Sequence, residues 1–403
     1  MATSVPPSQA LPPAVRRISL ATWLHKNLFS TWYNILITIV LVGLLARTVI
    51  GFVNWAITTA QWRVIPANLN LFFVGLFPLN QYWRLWVIVS VMALMSGLSW
   101  GILARKTPQL FPRAVSISAG ILAIIILSIP TPMPYRLGFV AIEGLILIAA
   151  WMGRQAGRRF SHLGQWLSLG WALSFFVMFW FLIGGLGLPL VETTKWGGLL
   201  LSMFLAIISS IISFPIGILL ALGRQSDLPV FRWVSTFFIE VIRGTPLTAL
   251  LFVGAVMVPL FLPGNARPDL IFRTMVGLTL FCSAYLAETV RGGLQAISRG
   301  QTEAARALGL STPLTLGLII LPQALKISIP ALVGLFIDMV QETTLVSIVG
   351  LFDLLGISRS ILANQQFIGR YAEVYLFIGF LYWLMCYSMS IGSRKIEEHF
   401  NRG

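Results

Sequence analysis

Apolar residues in this chain come in blocks rather than in alternation. Ten blocks, near 33–53, 83–103, 114–129, 135–152, 166–188, 197–222, 244–262, 270–287, 327–346 and 372–392, each run for roughly 16 to 26 residues. A helix needs about 20 apolar residues to cross a hydrocarbon core of about 30 Å. Strand-like alternation is missing, so an outer-membrane barrel is not expected. The pattern predicts an all-α polytopic membrane protein with ten spans. The third and fourth blocks share the turn Pro130-Thr131-Pro132-Met133-Pro134. Read as one tight helical hairpin, they reduce the count to eight.

Composition sharpens this. Of 403 residues, 57% are hydrophobic and 10% charged, with a mean hydropathy of +0.86. Soluble proteins carry about 25% charge, so a soluble enzyme is excluded. The formal charge of +15 would suggest nucleic acid in a soluble domain. Here it follows membrane topology instead, and no nucleic-acid partner is expected. With ten spans, Lys26, Arg105, Lys106, Arg154, Arg158, Arg224, Arg232, Arg291, Arg299 and Lys395 all fall on one side, with most of the other basic residues. The positive-inside tendency makes that side, and both termini, cytoplasmic. The setting is the lipid bilayer of a bacterial-type inner (plasma) membrane. Residues 1–31 form a Pro-rich cytoplasmic segment whose Arg16, Arg17 and Lys26 oppose Ile18, Leu20, Trp23 and Leu24, suited to the membrane surface. They lack the short apolar core and small-residue cleavage site of a signal peptide. Cys282 and Cys386 lie far apart in apolar blocks, and His25, His162 and His399 are isolated, so no metal site is predicted.

The character changes after Gly184-Gly185-Leu186-Gly187-Leu188-Pro189. About five extra transmembrane helices are assigned to 32–190, and a five-helix core to 191–403. Between the third and fourth core blocks, within about 288–326 and on the cytoplasmic side, lies Glu303-Ala304-Ala305-Arg306-Ala307-Leu308-Gly309, then, nine residues on, Ile319-Ile320-Leu321-Pro322. Gln301 to Leu308 are mostly good helix formers, and Gly309 suits the left-handed position past a helix end. Ser311 can cap a second helix with Pro313 in its first turn. The expectation is two short helices meeting at a bend, slim enough for a partner's groove.

This loop resembles the EAA motif of ABC importer permeases, Glu-Ala-Ala-x3-Gly-x9-Ile-x-Leu-Pro, at every specified position. Glu240-Val241-Ile242-Arg243-Gly244-Thr245-Pro246, Ala284-Tyr285-Leu286-Ala287-Glu288-Thr289-Val290-Arg291 and Gln341-Glu342-Thr343-Thr344-Leu345-Val346 resemble segments of the polar amino-acid branch. The added N-terminal length is similar to the larger permease of general L-amino-acid ABC transporters. The resemblance implies a type I importer transmembrane domain for an amino-acid substrate. It also implies partner ABC ATPase subunits, a sister permease in a heterodimer and an extracytoplasmic solute-binding protein. Coupling to the ATPase would fall to Glu303, Ala304, Ala305, Gly309, Leu321 and Pro322. No lysine follows a glycine, so the phosphate loop of an ATPase is missing. The chain itself is expected to need no cofactor, ATP and Mg being bound by the partner ATPase.

Candidate pathway residues come from helical spacing. Asp338, Gln341, Glu342 and Leu345 share one face of the fourth core helix, while Leu332, Val333, Phe336 and Val340 supply apolar packing elsewhere. Ionisable groups inside a span usually face a bundle or a wet cavity. A carboxylate there could receive an α-ammonium group, with Gln341 or Thr343 offering hydrogen bonds. The alternative is that Asp338 bonds a neighbouring helix and Glu342 reaches water at the membrane edge. Glu143, Asp338 and Arg47 could also be read as the charges of a secondary transporter, but that reading gives the coupling motif no role. A membrane enzyme would need a convergent nucleophile, base or metal ligands, and the sequence shows none.

Overall fold

The computed structural model describes residues 19–129, 131–263 and 268–401. The Pro-rich start with Arg16, Arg17 and Ile18, and Pro130 of the proline turn, lie outside them. Among the described residues the structure is helical, with isolated β-bridges and no named strand. The chain forms two compact units, 1–61 and 62–403.

The first unit contains α1 (Leu20–Leu28) and α2 (Trp32–Thr58). Ser19 caps α1 by accepting from the Thr22 N–H, and Thr38 Oγ1 donates to the Leu28 carbonyl at 3.0 Å. No residue of α2 is buried within the subunit.

The second unit begins with α3 (Val64–Ala67) and α4 (Leu69–Val74), then α5 (Tyr82–Leu103), α6 (Arg113–Ser128), α7 (Met133–Arg159) and α8 (Leu167–Ile183). Next come α9 (Gly198–Arg224), α10 (Pro229–Gly244), α11 (Leu247–Phe252), α12 (Val258–Phe261) and α13 (Leu270–Gln295). The chain ends with α14 (Arg299–Ala307), α15 (Thr312–Thr315), α16 (Leu321–Glu342), α17 (Leu354–Ala363) and α18 (Tyr371–Asn401).

All ten apolar blocks are helical, but they are not ten equal spans. Among the described residues, eight helices are long and apolar enough to cross a membrane, and a bent pair raises the count to nine. Two blocks depart from expectation. Helix α6 has only 16 residues, about 24 Å of rise against a core of about 30 Å. The block at 244–262 is the second arm of a pair bent by 104°. Pro246 causes that bend: the residue before proline is pushed out of the helical region, and Thr245 sits at φ −103°, ψ 131°. The segment before it, expected as a loop, is helix α10. It buries Ser235, Ile239 and Ile242 and turns Val230, Trp233, Phe237 and Val241 outward. Those outward positions repeat at helical spacing, a signal present in the sequence.

Two π-helical turns, Val253–Met257 and Leu316–Ile320, precede Pro259 and Pro322. A wide turn accommodates a residue that lacks an N–H and crowds the preceding turn.

The core of the second unit stacks along the bundle. Leu201, Leu205, Leu251, Leu278, Cys282 and Met339 form one cluster; Ala221, Ile239, Leu286, Val290 and Ala324 form another. Hydroxyls join the helices where backbones approach: Ser209 donates to the Met275 carbonyl at 3.4 Å and Ser328 to the Thr289 carbonyl at 3.2 Å. Packing also runs across residue 190. Val64 and Phe72 are buried with Leu354, Val374 and Ile378, and Phe77 and Leu182 join the Leu201 cluster. Arg84, fully buried in α5, donates to the Pro189 carbonyl at 2.6 Å.

Helices α5 and α7 make the closest crossing of the N-terminal helices. Ala93, Gly97 and Gly101 of α5 face Ala149, Ala150, Gly153 and Gly157 of α7, all buried. A methyl on Gly153 would lie 2.5 Å from the Leu98 carbonyl oxygen, and one on Gly101 would run into the Ala150 carbonyl oxygen. Small residues let backbones touch where lipid provides no hydrophobic drive for helix association. Gly101→Leu should therefore destabilise the protein by about 2–3 kcal/mol, because backbone cannot give way as a side chain does. Gly120→Leu, at a site with nothing within 4 Å, should change stability by less than about 0.5 kcal/mol. Thermal unfolding in detergent distinguishes the two.

Candidate functional site

The loop expected to couple to an ATPase folds as helix, glycine, helix. Helix α14 ends in a Schellman motif: Leu310 N–H donates to the Ala305 carbonyl at 3.1 Å and Gly309 N–H to the Arg306 carbonyl at 2.9 Å. Gly309 takes φ +77°, where a Cβ would be strained. The second helix differs from expectation. One α-turn, α15, runs through a π turn into α16, so Leu321 and Pro322 lie within a continuous helical rod rather than in a separate short helix. Ser311 stands at its N-cap position, but its side chain makes no capping bond. Glu303 and Arg306 form no ion pair with each other among the described residues. Ala305 is buried, holding the element to the bundle, while Glu303, Ala304, Leu308, Gly309 and Pro322 are exposed. Leu308 is 80% and Leu318 67% exposed, and Gln301, Glu303 and Arg306 are exposed as well, so the element presents two large apolar side chains on a largely polar surface. A cleft of about 180 Å³, lined by Gln225, Leu294, Arg299, Thr302 and Arg306, lies between the element and the ends of α9 and α13.

At the same end, the structure brings together charges that are far apart in sequence. Glu288 of α13 accepts from Arg224 Nη1 at 2.6 Å and from Arg291 Nη2 at 2.7 Å, and Arg243 Nη1 lies 3.7 Å away. Arg224 also reaches Glu240 at 2.7 Å. The Arg243 guanidinium lies 5.3 Å over the Tyr285 ring. Glu288 is only 15% exposed, and three guanidiniums from α9, α10 and α13 converge on it. The Glu288–Arg291 pair at i,i+3 was legible in the sequence. The role of Arg224 was not, because only the packing of α9 against α13 brings its side chain there.

Helix α16 carries the candidate pathway residues. Asp338 and Gln341 are exposed in the subunit and Glu342 half-buried, whereas Leu332, Met339 and Val340 are buried. Asp338 and Gln341 thus share an exposed surface, but Leu345, placed on their face by the spacing, is half-buried against the Leu201 cluster. Gln341 Nε2 lies 3.6 Å from the Cys386 sulfur of α18. Thr343 stands apart from the polar face. It is fully buried and its hydroxyl donates to the Val340 carbonyl at 2.7 Å, so it does not join Asp338 and Gln341.

Known proteins share this arrangement of sequence. Residues 213–402 match the family model described as binding-protein-dependent transport system inner membrane component. The inner membrane amino-acid ABC transporter permease protein YhdY of Escherichia coli (strain K12) is 36% identical, over 97% of this chain and 96% of its own. The chain belongs to the amino-acid ABC transporter permeases. A second relative, the glutamate/glutamine/aspartate/asparagine transport system permease protein BztC of Rhodobacter capsulatus, is also 36% identical, over 97% of this chain and 96% of its own. The probable glutamine ABC transporter permease protein GlnP of Bacillus subtilis (strain 168) is 32% identical and covers 50% of this chain with 91% of its own. The permease therefore shares its full length, N-terminal helices included, with YhdY and BztC. GlnP matches only half of it.

Glu288→Gln should leave three guanidiniums around a neutral amide, an uncompensated charge at a partly buried site. The expected cost is about 3 kcal/mol. Glu240→Gln, whose side chain is 58% exposed, should cost less than about 1 kcal/mol. Thermal midpoints of the two variants at low and high salt measure the difference.

Proposed function

We propose that this permease forms one side of an amino-acid translocation pathway and is driven by a partner ATPase seated on α14, Gly309 and α15. The observation that carries this reading is an exposed helix–glycine–helix element in which Gly309 takes a left-handed φ and Glu303, Leu308 and Leu318 all face outward. The ATPase binds ATP and Mg; this chain supplies the docking surface. Residues 191–403 are assigned as the permease core and 32–190 as additional transmembrane helices. A sister permease completes the pathway as a heterodimer, and an extracytoplasmic solute-binding protein delivers the amino acid. Both termini are cytoplasmic, with α6 crossing as a short span and α11–α12 as the second core span.

Substrate contact is assigned to Asp338, Gln341 and Glu342. The carboxylates are one helical turn apart and suit an α-ammonium group, while the Gln341 amide can bond a carboxylate or a polar side chain. Thr343, also considered as a hydrogen-bonding group, is left out because it is fully buried and donates to the Val340 carbonyl.

Two experiments test these assignments. Glu303→Lys and Gly309→Val should insert normally, yet lose ATP turnover stimulated by the solute-binding protein by about tenfold or more. Reversed charge and a strained φ both weaken docking. Reconstituted vesicles give the measurement, and unchanged turnover in both variants refutes the docking role. For the pathway, single cysteines at 338, 341 and 342 in a background without Cys282 and Cys386 should label with a water-soluble thiol reagent and be slowed by substrate. Cysteines at 336 and 340 should label poorly. Equal labelling of both sets removes the pathway assignment.

A further inference from the structure

The end of the permease assigned to the cytoplasm handles charge in two different ways. In the core, Arg224, Arg243 and Arg291 share Glu288, and Arg232 lies 3.9 Å from Asp227. At the ends of α5 and α7, by contrast, Arg105, Lys106, Arg154, Arg158 and Arg159 gather with no carboxylate near them in sequence. Glu143 is the one acidic residue between positions 62 and 190, and it precedes Arg154 by about 16 Å of helix rise. Lys106, Arg154, Arg158 and Arg159 form no ion pair among the described residues.

Tertiary contacts hold these cations together. Arg154 Nη2 donates to the carbonyls of Thr107 and Pro108, and Arg158 Nε donates to the Arg105 carbonyl at 3.4 Å, so the loop after α5 is pinned to the last turns of α7. A methyl on Gly157 would lie 3.6 Å from the Arg105 Cβ. Carbonyls satisfy N–H groups but cancel no net charge, and like charges held together raise the local potential for an anion. Arg158 commits only its Nε among the described residues, which leaves two Nη groups for a further acceptor. Lys106, Arg158 and Arg159 are exposed, and so are Leu103, Trp151 and Phe160 beside them. The Arg159 guanidinium lies 5.6 Å over the Phe160 ring. Cations next to exposed aromatic and aliphatic side chains mark the level where hydrocarbon gives way to headgroups.

We infer that this patch binds the headgroup of an anionic phospholipid. The phosphate accepts from the Arg158 Nη groups, in the two-pronged geometry a guanidinium offers, and Lys106 and Arg159 supply further positive charge. The acyl chains run along the exposed apolar side chains at the ends of α5 and α7. The ligand class is a phospholipid whose headgroup carries net negative charge, such as phosphatidylglycerol. A zwitterionic headgroup brings an ammonium group that the same cations repel. Free phosphate would meet the cations but leave Leu103 and Trp151 unused. Only the choice of leaflet rests on the topology proposed above.

The test uses the full-length permease with whatever subunits co-purify with it, and reads lipid retention by native mass spectrometry. The probes are phosphatidylglycerol, phosphatidylcholine and inorganic phosphate. Phosphatidylglycerol should be retained at least about tenfold more strongly than phosphatidylcholine. Lys106→Gln/Arg159→Gln keeps both arginine ties to the loop and should lower that retention by at least about fivefold. Arg394→Gln/Lys395→Gln, the same loss of charge at the end of α18, should leave it unchanged. The unaltered protein should also unfold at a higher temperature in phosphatidylglycerol nanodiscs than in phosphatidylcholine nanodiscs. Equal retention of the two lipids overturns the site, and an equal loss in the two double variants reduces it to general surface charge. Displacement of phosphatidylglycerol by inorganic phosphate overturns the lipid assignment. So does shielding of single cysteines at 106 and 159, in a background without Cys282 and Cys386, by a partner subunit in either lipid, because a protein then occupies the patch.

Discussion

A hydrocarbon layer offers no partner to a peptide N–H or C=O, and the permease is organised around that constraint. Every apolar block becomes a helix because only a helix satisfies its own backbone within one segment. Deviations are local and have named causes. At Thr245-Pro246 the helix breaks by 104°, while at Pro259 and Pro322 a π turn absorbs the missing donor and the chain continues. Hydroxyls follow the same rule: Ser202, Ser283 and Ser358 donate to carbonyls of their own helices, four residues back.

Charge is handled by gathering it at helix ends. Glu288 collects Arg224, Arg243 and Arg291, so α9, α10 and α13 are fastened at the end from which the coupling element projects. A push on α14 or α15 would be transmitted to helices whose ends are already tied together. Gln323 of α16 donates to Gln301 of α14 at 3.4 Å, which joins that element to α16 as well. The proposed docking element and the charge cluster thus lie at the same end of the subunit.

The N-terminal helices are more than an appendage in packing terms. Val64 and Phe72 share a cluster with residues of α17 and α18, and Arg84 holds the strand of chain that leads into α9. YhdY and BztC match the permease over nearly its whole length, including these helices.

By itself, the sequence determined the class, the ten helical blocks and the glycine turn after α14, because hydropathy over 20 residues and a left-handed glycine are local physics. It placed Gly309 past a helix end, and it separated Asp338 and Gln341 from Leu332 and Val340 by helical period alone. Tertiary structure decided the rest. It turned the expected loop before Gly244 into α10, whose buried face has meaning only against α9 and α13. It buried Thr343, a residue the sequence offered as a hydrogen-bonding partner for substrate. It also brought Arg224 to Glu288 across 64 positions, and glycines of α5 to glycines of α7. Those contacts depend on which helix faces are adjacent, and neighbours in a bundle are set by packing of the whole chain rather than by any window of it.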